Sequence, residues 1–579
     1  MFEVMLKLKD FFNKNKKDYI RSFIAMIASN LFSVFIPYLI GQLIDYIVQD
    51  ELTYRLLIKV ISAFLFSLIA AYIFEFIWSY YLFTGAAKLQ RSMRDNLMAH
   101  FLNMRSIFFE KFRVGDLMAR STQDVRAIAD TAGYGMMVLM NATLFLTTIV
   151  GMMGFSVSWR LTIFSLFPLI ILAYTFDKLG NELEKRFSIA QESFSSLNND
   201  VLEVVDGIRV IRAYVKEEDY LDKFRKQTES MLVKNNRVAD INAMFMPFVK
   251  IITSICTVIS FGYGTFLVYE GTLSVGNIVA FQMYLGMIIW PIISIGELTN
   301  VLRQGSAAMI RVEDVLNTTD EMEENGFKDI EDSNDIVMQN LNFQYPTSQE
   351  MNLSQINIEI PKGKTMGIVG KTGAGKTTLL RQFLRQYPLG DGDFFYGDDR
   401  VLDYQRNQIQ HLIGYVPQDH ILFSRSVRDN IAFGKGQASD QEILESINIA
   451  AFDEDLLQMN KGLDTMIGEK GVSISGGQKQ RISLARALIK NPEILILDDA
   501  LSAVDAKTEQ RIISNIQQVR TNKTTLISTH RLSAVKEADE IIVLEEGQIV
   551  EHGNHEELLA LQGWYYKQYL RQELKEGDA

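Results

Sequence analysis

TMGIVGKTGAGKTTLLRQFLRQ, Thr365–Gln386, reads as a short buried strand, a glycine-rich turn and a helix in immediate succession. The turn carries the pattern G-x-x-x-x-G-K-T from Gly370 to Thr377, and a strand before it and a helix after it make that pattern a phosphate-cradling loop. Gly370, Gly373 and Gly375 let backbone N–H groups approach phosphate oxygens, and the helix N-terminus adds the positive end of its dipole. Lys376 is expected to reach the β- and γ-phosphates, and the Thr377 hydroxyl to bind Mg²⁺. Lys371, Thr372, Ala374 and Thr378 complete the expected nucleotide contacts. ATP with Mg²⁺ is therefore the expected cofactor pair, on an α/β P-loop domain.

A second glycine-rich turn, SISGGQ at Ser473–Gln478, opens the helical run QKQRISLARAL. Its serine and glycine N–H groups make another anion site. EILILDD is an apolar strand that ends in two carboxylates, Asp498 and Asp499, and TTLISTHR is a strand that ends at His530.

With 579 residues the chain exceeds one compact core, so at least two domains are expected. The 48% of hydrophobic residues are unevenly placed, crowded before about residue 310. Six stretches there are long and apolar enough to cross a bilayer, near 20–48, 55–83, 133–158, 160–178, 243–269 and 276–300. The connections near 84–132 and 179–242 are long and rich in Lys and Arg. QDELTY and YEGTLSVG are short, and the third connection is almost absent. This alternation puts both termini, the two long connections and the ATPase half in the cytosol. The long connections have few breakers and read as helices projecting beyond the membrane. The domain plan is an interfacial helix at 1–17, a transmembrane domain at 18–310, a linker at 311–334 and a nucleotide-binding domain at 335–579.

The start, MFEVMLKLKDFFNKNKKD, lacks the apolar core and cleavage site of a signal peptide. It reads as an amphipathic helix on the lipid bilayer surface, with Met5, Leu8 and Phe12 on one face and Lys7, Lys9, Lys14, Lys16 and Lys17 toward acidic headgroups. The net charge of −12 points to no nucleic-acid partner, and the single cysteine, Cys256, excludes an internal disulfide framework. Asn30, Glu75, Asn141, Lys250 and Gln282 are polar residues inside spans and hence candidates for cargo contact, with Glu297 near the inner boundary. Interhelical hydrogen bonding is the alternative for each. Met244, Phe245, Met246, Phe248, Phe281, Met283 and Met287 can repack around varied apolar ligands, or merely face lipid and neighbouring helices. Pro37, Pro168, Pro247 and Pro291 can each bend a helix.

GKTGAGKT, then SISGGQ, then LILDDALSAVD, all behind a long apolar half, resemble the ATP-binding-cassette (ABC) exporters over essentially the whole chain. The resemblance implies that Tyr345 stacks on adenine, that Gln418 touches Mg²⁺ and the attacking water, that Asp498 holds Mg²⁺ through water, and that His530 contacts the γ-phosphate. It also implies that Ser475, Gly476, Gly477 and Gln478 bind ATP held by an opposite domain. One chain then cannot complete its own site, and two chains are needed. By the same resemblance the long extensions end in coupling helices near Met104–Phe109 and Val205–Val215. FFEKFRVGDLMARSTQDV follows the first of these tips. TMIGEKGV, Thr465–Val472, resembles an exporter segment with Glu469 as its contact.

Asp499 stands where the family usually has a catalytic glutamate. It keeps the charge but is one methylene shorter, and a general base must lie within hydrogen-bond reach. The expectation is a site that binds ATP well and hydrolyses it slowly. In the family this pattern marks one half of a heterodimer, whose second ABC half-transporter has an intact glutamate and a deviant signature. The reading is therefore a degenerate-base subunit of a bacterial heterodimeric multidrug-type exporter in the cytoplasmic membrane, with apolar or amphipathic small-molecule cargo. A homodimeric lipid or peptide exporter and an ATP-gated regulator or channel are the alternatives. No peptidase segment precedes the membrane half, which weighs against a peptide processor.

Overall fold

The computed structural model of the chain describes residues 3–319, 326–330, 334–468 and 474–577. Two compact units emerge: Met1–Asn103 with Arg113–Thr318, and Met104–Phe112 with Thr319–Ala579.

The first unit is all helical. Among the described residues, five helical stretches are long and apolar enough to cross a membrane: Lys16–Val48, Tyr54–Asn103, Val114–Leu166 (interrupted at Ser158), Glu217–Tyr269 and Val275–Leu316. Tyr54–Asn103 has 50 residues, so at 1.5 Å per residue it is about 75 Å long, well beyond the ~30 Å hydrocarbon thickness of a bilayer. The almost absent third connection is a turn at Ser158, whose extended backbone breaks the helix and whose side chain caps Leu161 N. The expected span 160–178 differs from the others. It is divided between Trp159–Leu166 and Pro168–Asp206, because Pro168 supplies no N–H to continue the ladder. The backbone at Phe167 stays helical (φ −51°, ψ −42°), so the division is a bend and not a stop.

Both expected tips are short helices, Ser106–Lys111 and Ile208–Ala213. At the chain start, Glu3–Lys7 and Lys9–Lys14 are helical, Val4 and Leu8 are buried, and Lys7 pairs with Glu313 at 2.5 Å. The expected linker 311–334 begins too early, because the last helix continues to Leu316. Val312 and Val315 are fully buried there, and Arg311 donates to both oxygens of Asp124 at 2.9 and 2.5 Å. Residues 320–325 and 331–333 of that linker lie outside the described residues.

Of the intramembrane polar residues, Gln282 donates to the Ser260 hydroxyl at 2.8 Å, and Glu297 accepts from the Tyr134 hydroxyl at 2.7 Å. Both therefore make interhelical bonds. Asn30 carries a buried amide nitrogen, and Glu75 and Lys250 are exposed.

The second unit holds two sheets. β1 (Ile336–Phe343), β2 (Leu353–Ile360), β4 (Asp391–Tyr396) and β5 (Asp399–Arg400) form an antiparallel sheet in the order β2-β1-β4-β5. The other sheet has the order β10-β9-β3-β8-β7-β6. It comprises β3 (Thr365–Gly370), β6 (Ile413–Val416), β7 (Ile494–Asp498), β8 (Thr524–Ser528), β9 (Glu540–Glu545) and β10 (Gln548–Gly553). All its pairings are parallel except β9 with β10. β7 and β8 are buried along their whole length, as strands covered on both faces must be. Their carboxyl ends bring Asp498 and Ser528 level, so the loops that follow converge at one edge.

Candidate functional site

β3 delivers Gly370 to the start of the phosphate loop, and the helix Lys376–Phe383 leaves it. Two of its glycines are required by geometry. Gly375 caps the helix at φ +103°, and a Cβ at Gly370 would lie 2.2 Å from the Leu544 carbonyl oxygen on β9. Lys376 is buried beneath the loop. Its Nζ donates to the carbonyl oxygens of Gly370 (2.9 Å) and Lys371 (3.0 Å) and lies 3.2 Å from His530 Nε2. Burial draws the Lys376 ammonium below its ordinary value, against the pull of Asp499 and Asp498. Burial, and then the Lys376 charge, hold His530 below 6.5, so the ring is neutral at neutral pH and can accept from the ammonium.

Thr377 donates its hydroxyl proton to Asp498 Oδ1 at 3.1 Å. Asp498 is 1% exposed, and its Oδ2 is buried without a hydrogen-bond partner among the described residues. A hydroxyl beside a carboxylate with one spare buried oxygen is a hard-oxygen donor set that fits Mg²⁺. Burial pushes the Asp498 carboxyl up, and the Thr377 hydroxyl opposes it.

Asp499 follows at φ +50°, with its N–H donated to the Ser528 carbonyl oxygen at 2.9 Å. Its charge acts on Lys376 and on His530, which puts it in the same cluster. Gln418 stands exposed just after β6 and makes no hydrogen bond to the phosphate loop among the described residues. Tyr345 follows β1. Its hydroxyl donates to Thr378 Oγ at 3.1 Å and accepts from Arg381 at 3.2 Å, which ties the aromatic ring to the helix after the loop.

Ser475 caps the helix Gly476–Leu488 in a reciprocal box with Gln478, at 3.3 and 3.0 Å. Ser475 and Gly476 are exposed, while Gly477 and Gln478 are half-buried, and Gln478 is anchored to Asp455 at 2.9 Å. This helix start shares no hydrogen bond with the phosphate loop among the described residues, so the cluster around Lys376 does not include it. Ser473 and Glu469 lie outside the described residues.

Four side chains at this edge escaped the sequence reading. Gln480 grips the loop after Asp499 by bonds to Ser502 and Ala503, at 3.1 and 3.0 Å. Arg531 holds the same loop by the Val504 and Ser502 carbonyls, at 2.9 and 3.0 Å. Arg381 and Tyr387 surround Tyr345. The one local signal was Gln480 itself, a polar residue on the helix face that buries Leu484 and Leu488.

Together these groups can cradle a triphosphate, hold a hard divalent ion and place a carboxylate beside it. Residues 19–292 match the family profile "ABC transporter transmembrane region", and residues 353–502 match the profile "ABC transporter". The chain is 46% identical to the probable multidrug resistance ABC transporter ATP-binding/permease protein YheI of Bacillus subtilis, over 100% of both chains. It is 37% identical to the multidrug resistance-like ATP-binding protein MdlA of Escherichia coli, over 86% of this chain and 84% of that one. A bacterial Atm1-family ABC exporter solved with ATP bound has the same fold, with a TM-score of 0.79 at 22% identity over 96% of this chain and 98% of that one. The chain therefore belongs to the ABC transporters that join a helical transmembrane region and an α/β ATP-binding domain in one polypeptide.

Proposed function

We infer that this chain is one half of a heterodimeric multidrug-type exporter that uses ATP to move apolar or amphipathic small molecules out across a bacterial cytoplasmic membrane. Its membership of the ABC family makes it an ATPase coupled to transport. In this reading Lys376 and the loop Gly370–Thr378 hold the phosphates, Tyr345 stacks on adenine, and Thr377, Asp498 and Gln418 hold Mg²⁺, which would neutralise phosphate charge when bound. Asp499 orients the attacking water and His530 senses the γ-phosphate. Ser475, Gly476, Gly477 and Gln478 serve ATP on the partner chain. The membrane is crossed six times, the fourth crossing built from the two helical pieces that meet at Phe167, with both termini and the ATPase unit cytosolic.

The observation that carries the reading is Asp499 in a phosphate site whose other parts are assembled. Lys376 meets His530, and Thr377 meets Asp498, which supports this chain's share of an ATP site. The base position alone is shortened, and positioned proton transfer is worth about 10²–10⁴-fold in rate. A transporter built from two such sites would be slow at both. A partner with glutamate at that position supplies the fast site and borrows this chain's intact Ser475–Gln478. The names of the relatives, multidrug resistance proteins, support the cargo class.

Purification of the tagged chain from its native host in mild detergent, followed by mass spectrometry, tests this. A stoichiometric second half-transporter with glutamate at the base position and an altered signature is expected. A complex of this chain alone would overturn the heterodimer and leave a slow homodimer or an ATP-gated regulator.

A further inference from the structure

β8 ends at Ser528, and the turn that follows it carries His530 to the Lys376 ammonium. The side chains beyond His530 in this turn are committed elsewhere. The Arg531 guanidinium holds the buried Glu509 at 2.8 Å besides the Val504 and Ser502 carbonyls, and the Ser533 hydroxyl donates to Glu509 at 2.7 Å. The backbone of the turn is pinned as well. The Thr529 N–H donates to the Ile368 carbonyl oxygen at 3.1 Å, and the Arg531 N–H to the Thr529 hydroxyl at 3.0 Å. A further clamp comes from 40 residues away in sequence: the Gln572 side-chain amide accepts the Leu532 N–H at 2.9 Å. The same amide donates from Nε2 to the His530 carbonyl oxygen at 2.8 Å. Leu532 opens the short 3₁₀ helix Leu532–Val535, so its N–H has no partner within that helix. Gln572 has this reach because its own helix, Trp564–Gly577, is fixed at the other end. There the Glu551 carboxylate on β10 accepts the N–H groups of Trp564 and Tyr565. Tyr565 is fully buried, and its hydroxyl meets His555 Nδ1 at 2.8 Å. Gln572 follows Tyr565 by about two helical turns, so the two share a face, and the anchor that seats one aims the other.

We propose that Gln572 is a positioning residue for ATP, whose amide clamp on His530 and Leu532 sets the imidazole where it meets the γ-phosphate. It rests on the reading of His530 as the γ-phosphate sensor. A primary amide carries donors and an acceptor on one plane, so it satisfies the His530 carbonyl and the Leu532 N–H together. Those two groups flank Arg531, and fixing both fixes the peptide planes between them. The His530 ring is thereby held with Nε2 at 3.2 Å from the Lys376 ammonium. A hydrogen bond weakens steeply as its angle opens, so a small swing of this turn is enough to lose the contact to phosphate. ADP has no γ-phosphate, and the effect of the clamp therefore falls on ATP alone.

Nucleotide competition on the full-length chain, with any chain that copurifies with it, reads this directly. The protein is photolabelled with radioactive azido-ATP, and ATP or ADP is added until the label on this chain is halved. In the unaltered protein ATP is expected to displace the label at a lower concentration than ADP. Gln572→Met keeps the length of the side chain and removes both bonds. It is expected to weaken ATP by about five-fold and to leave ADP unchanged. His530→Ala is expected to show the same selective loss, and Gln572→Met to add nothing to it, because the two residues act as one unit. Gln572→Glu keeps the acceptor for Leu532 and loses the donor for His530, so its loss is expected to be smaller; it carries the test if Gln572→Met does not fold. Equal weakening of ATP and ADP would mean that Gln572 merely supports the fold, which overturns the proposal. Unchanged ATP binding in both Gln572 variants, or losses that add in the double variant, would overturn it too. No preference for ATP in the unaltered protein, or a full preference in His530→Ala, would instead bring down the reading of His530, and this inference with it.

Discussion

The Ser502 hydroxyl donates to the carbonyl oxygen of Asp499 across 3.0 Å. With the Asp499 N–H already given to Ser528, both backbone groups of Asp499, the proposed base, are fixed, in the left-handed region at φ +50°. The main chain therefore cannot slide forward to make up for a side chain one methylene shorter than glutamate. Asp499→Glu is expected to raise ATP turnover of the purified complex, by up to about ten-fold, and at least not to abolish it. Near-complete loss of turnover would show that this position is not handicapped.

Gln480 holds the same loop from the other side. It is 2% exposed, donates to the Ser502 hydroxyl and accepts the Ala503 N–H at 3.0 Å. Gln480→Leu removes both bonds to this loop, each worth about 0.5–1.5 kcal/mol. A lower melting temperature is expected, together with reduced turnover at unchanged ATP affinity. Gln480→Glu keeps the acceptor for Ala503 and is expected to fall between the two. Calorimetry and steady-state kinetics on the same preparations check this.

The phosphate loop, the strand ending in Asp498 and the strand ending at His530 were legible because each is a short run whose meaning is local. The apolar strand and glycine spacing of Thr365–Thr377 need no distant residue. The bond between Tyr387 and Glu110 spans 277 residues of sequence, and the pair Arg311–Asp124 spans 187, so neither leaves a local trace. That second pair is also why the last helix runs past the expected domain limit. Pro168 was visible as a bend, but where the fourth span divides depends on the fold around Phe167. Gln418 was assigned by resemblance alone, and its exposed place after β6 adds no geometric support.

Three histidines give the chain a common acid response. Burial is the main cause that holds His420, His530 and His555 below their ordinary 6.5. Between those lowered values and 6.5 the unfolded chain binds protons that the native chain does not. Stability therefore rises with pH across that window and is lost on acidification through it. Melting temperature is expected to fall as pH drops below about 6.5. His530→Asn is expected to flatten part of the slope, and His420 and His555 to keep the remainder. A variant slope equal to that of the unaltered chain would mean that His530 is not held neutral.

The Tyr345 hydroxyl donates to Thr378 and accepts from Arg381, and its ring is proposed to stack on adenine. If the ring carries affinity, Tyr345→Phe should bind ATP nearly as well, whereas Tyr345→Ala should weaken binding by about 1–3 kcal/mol, the usual worth of one stacked base. Equal losses in the two variants would assign the affinity to the hydroxyl network instead. Titration with a fluorescent ATP analogue distinguishes these outcomes.

Arg520 separates stability from chemistry. It is 5% exposed, and its guanidinium donates to the carbonyl oxygens of Pro492 (2.8 Å), Glu493 (3.2 Å) and Thr524 (2.8 Å) and to the Thr525 hydroxyl (3.2 Å). Burial draws it down to about 10, well above neutral pH, so the charge persists. These acceptors lie where β7 and β8 begin, whereas Asp498 and Ser528 lie where the same strands end. Arg520→Met removes the fork and takes this donor from the buried Pro492 and Thr524 carbonyls, while Glu493 keeps the Thr524 N–H, at a cost of about 3 kcal/mol. Arg520→Lys is expected to recover only part of this, because one ammonium cannot span acceptors set for a planar fork. ATP affinity of the folded fraction is expected to stay unchanged in both variants. A loss of affinity that exceeds the loss of folded protein would show that the two ends of these strands are coupled.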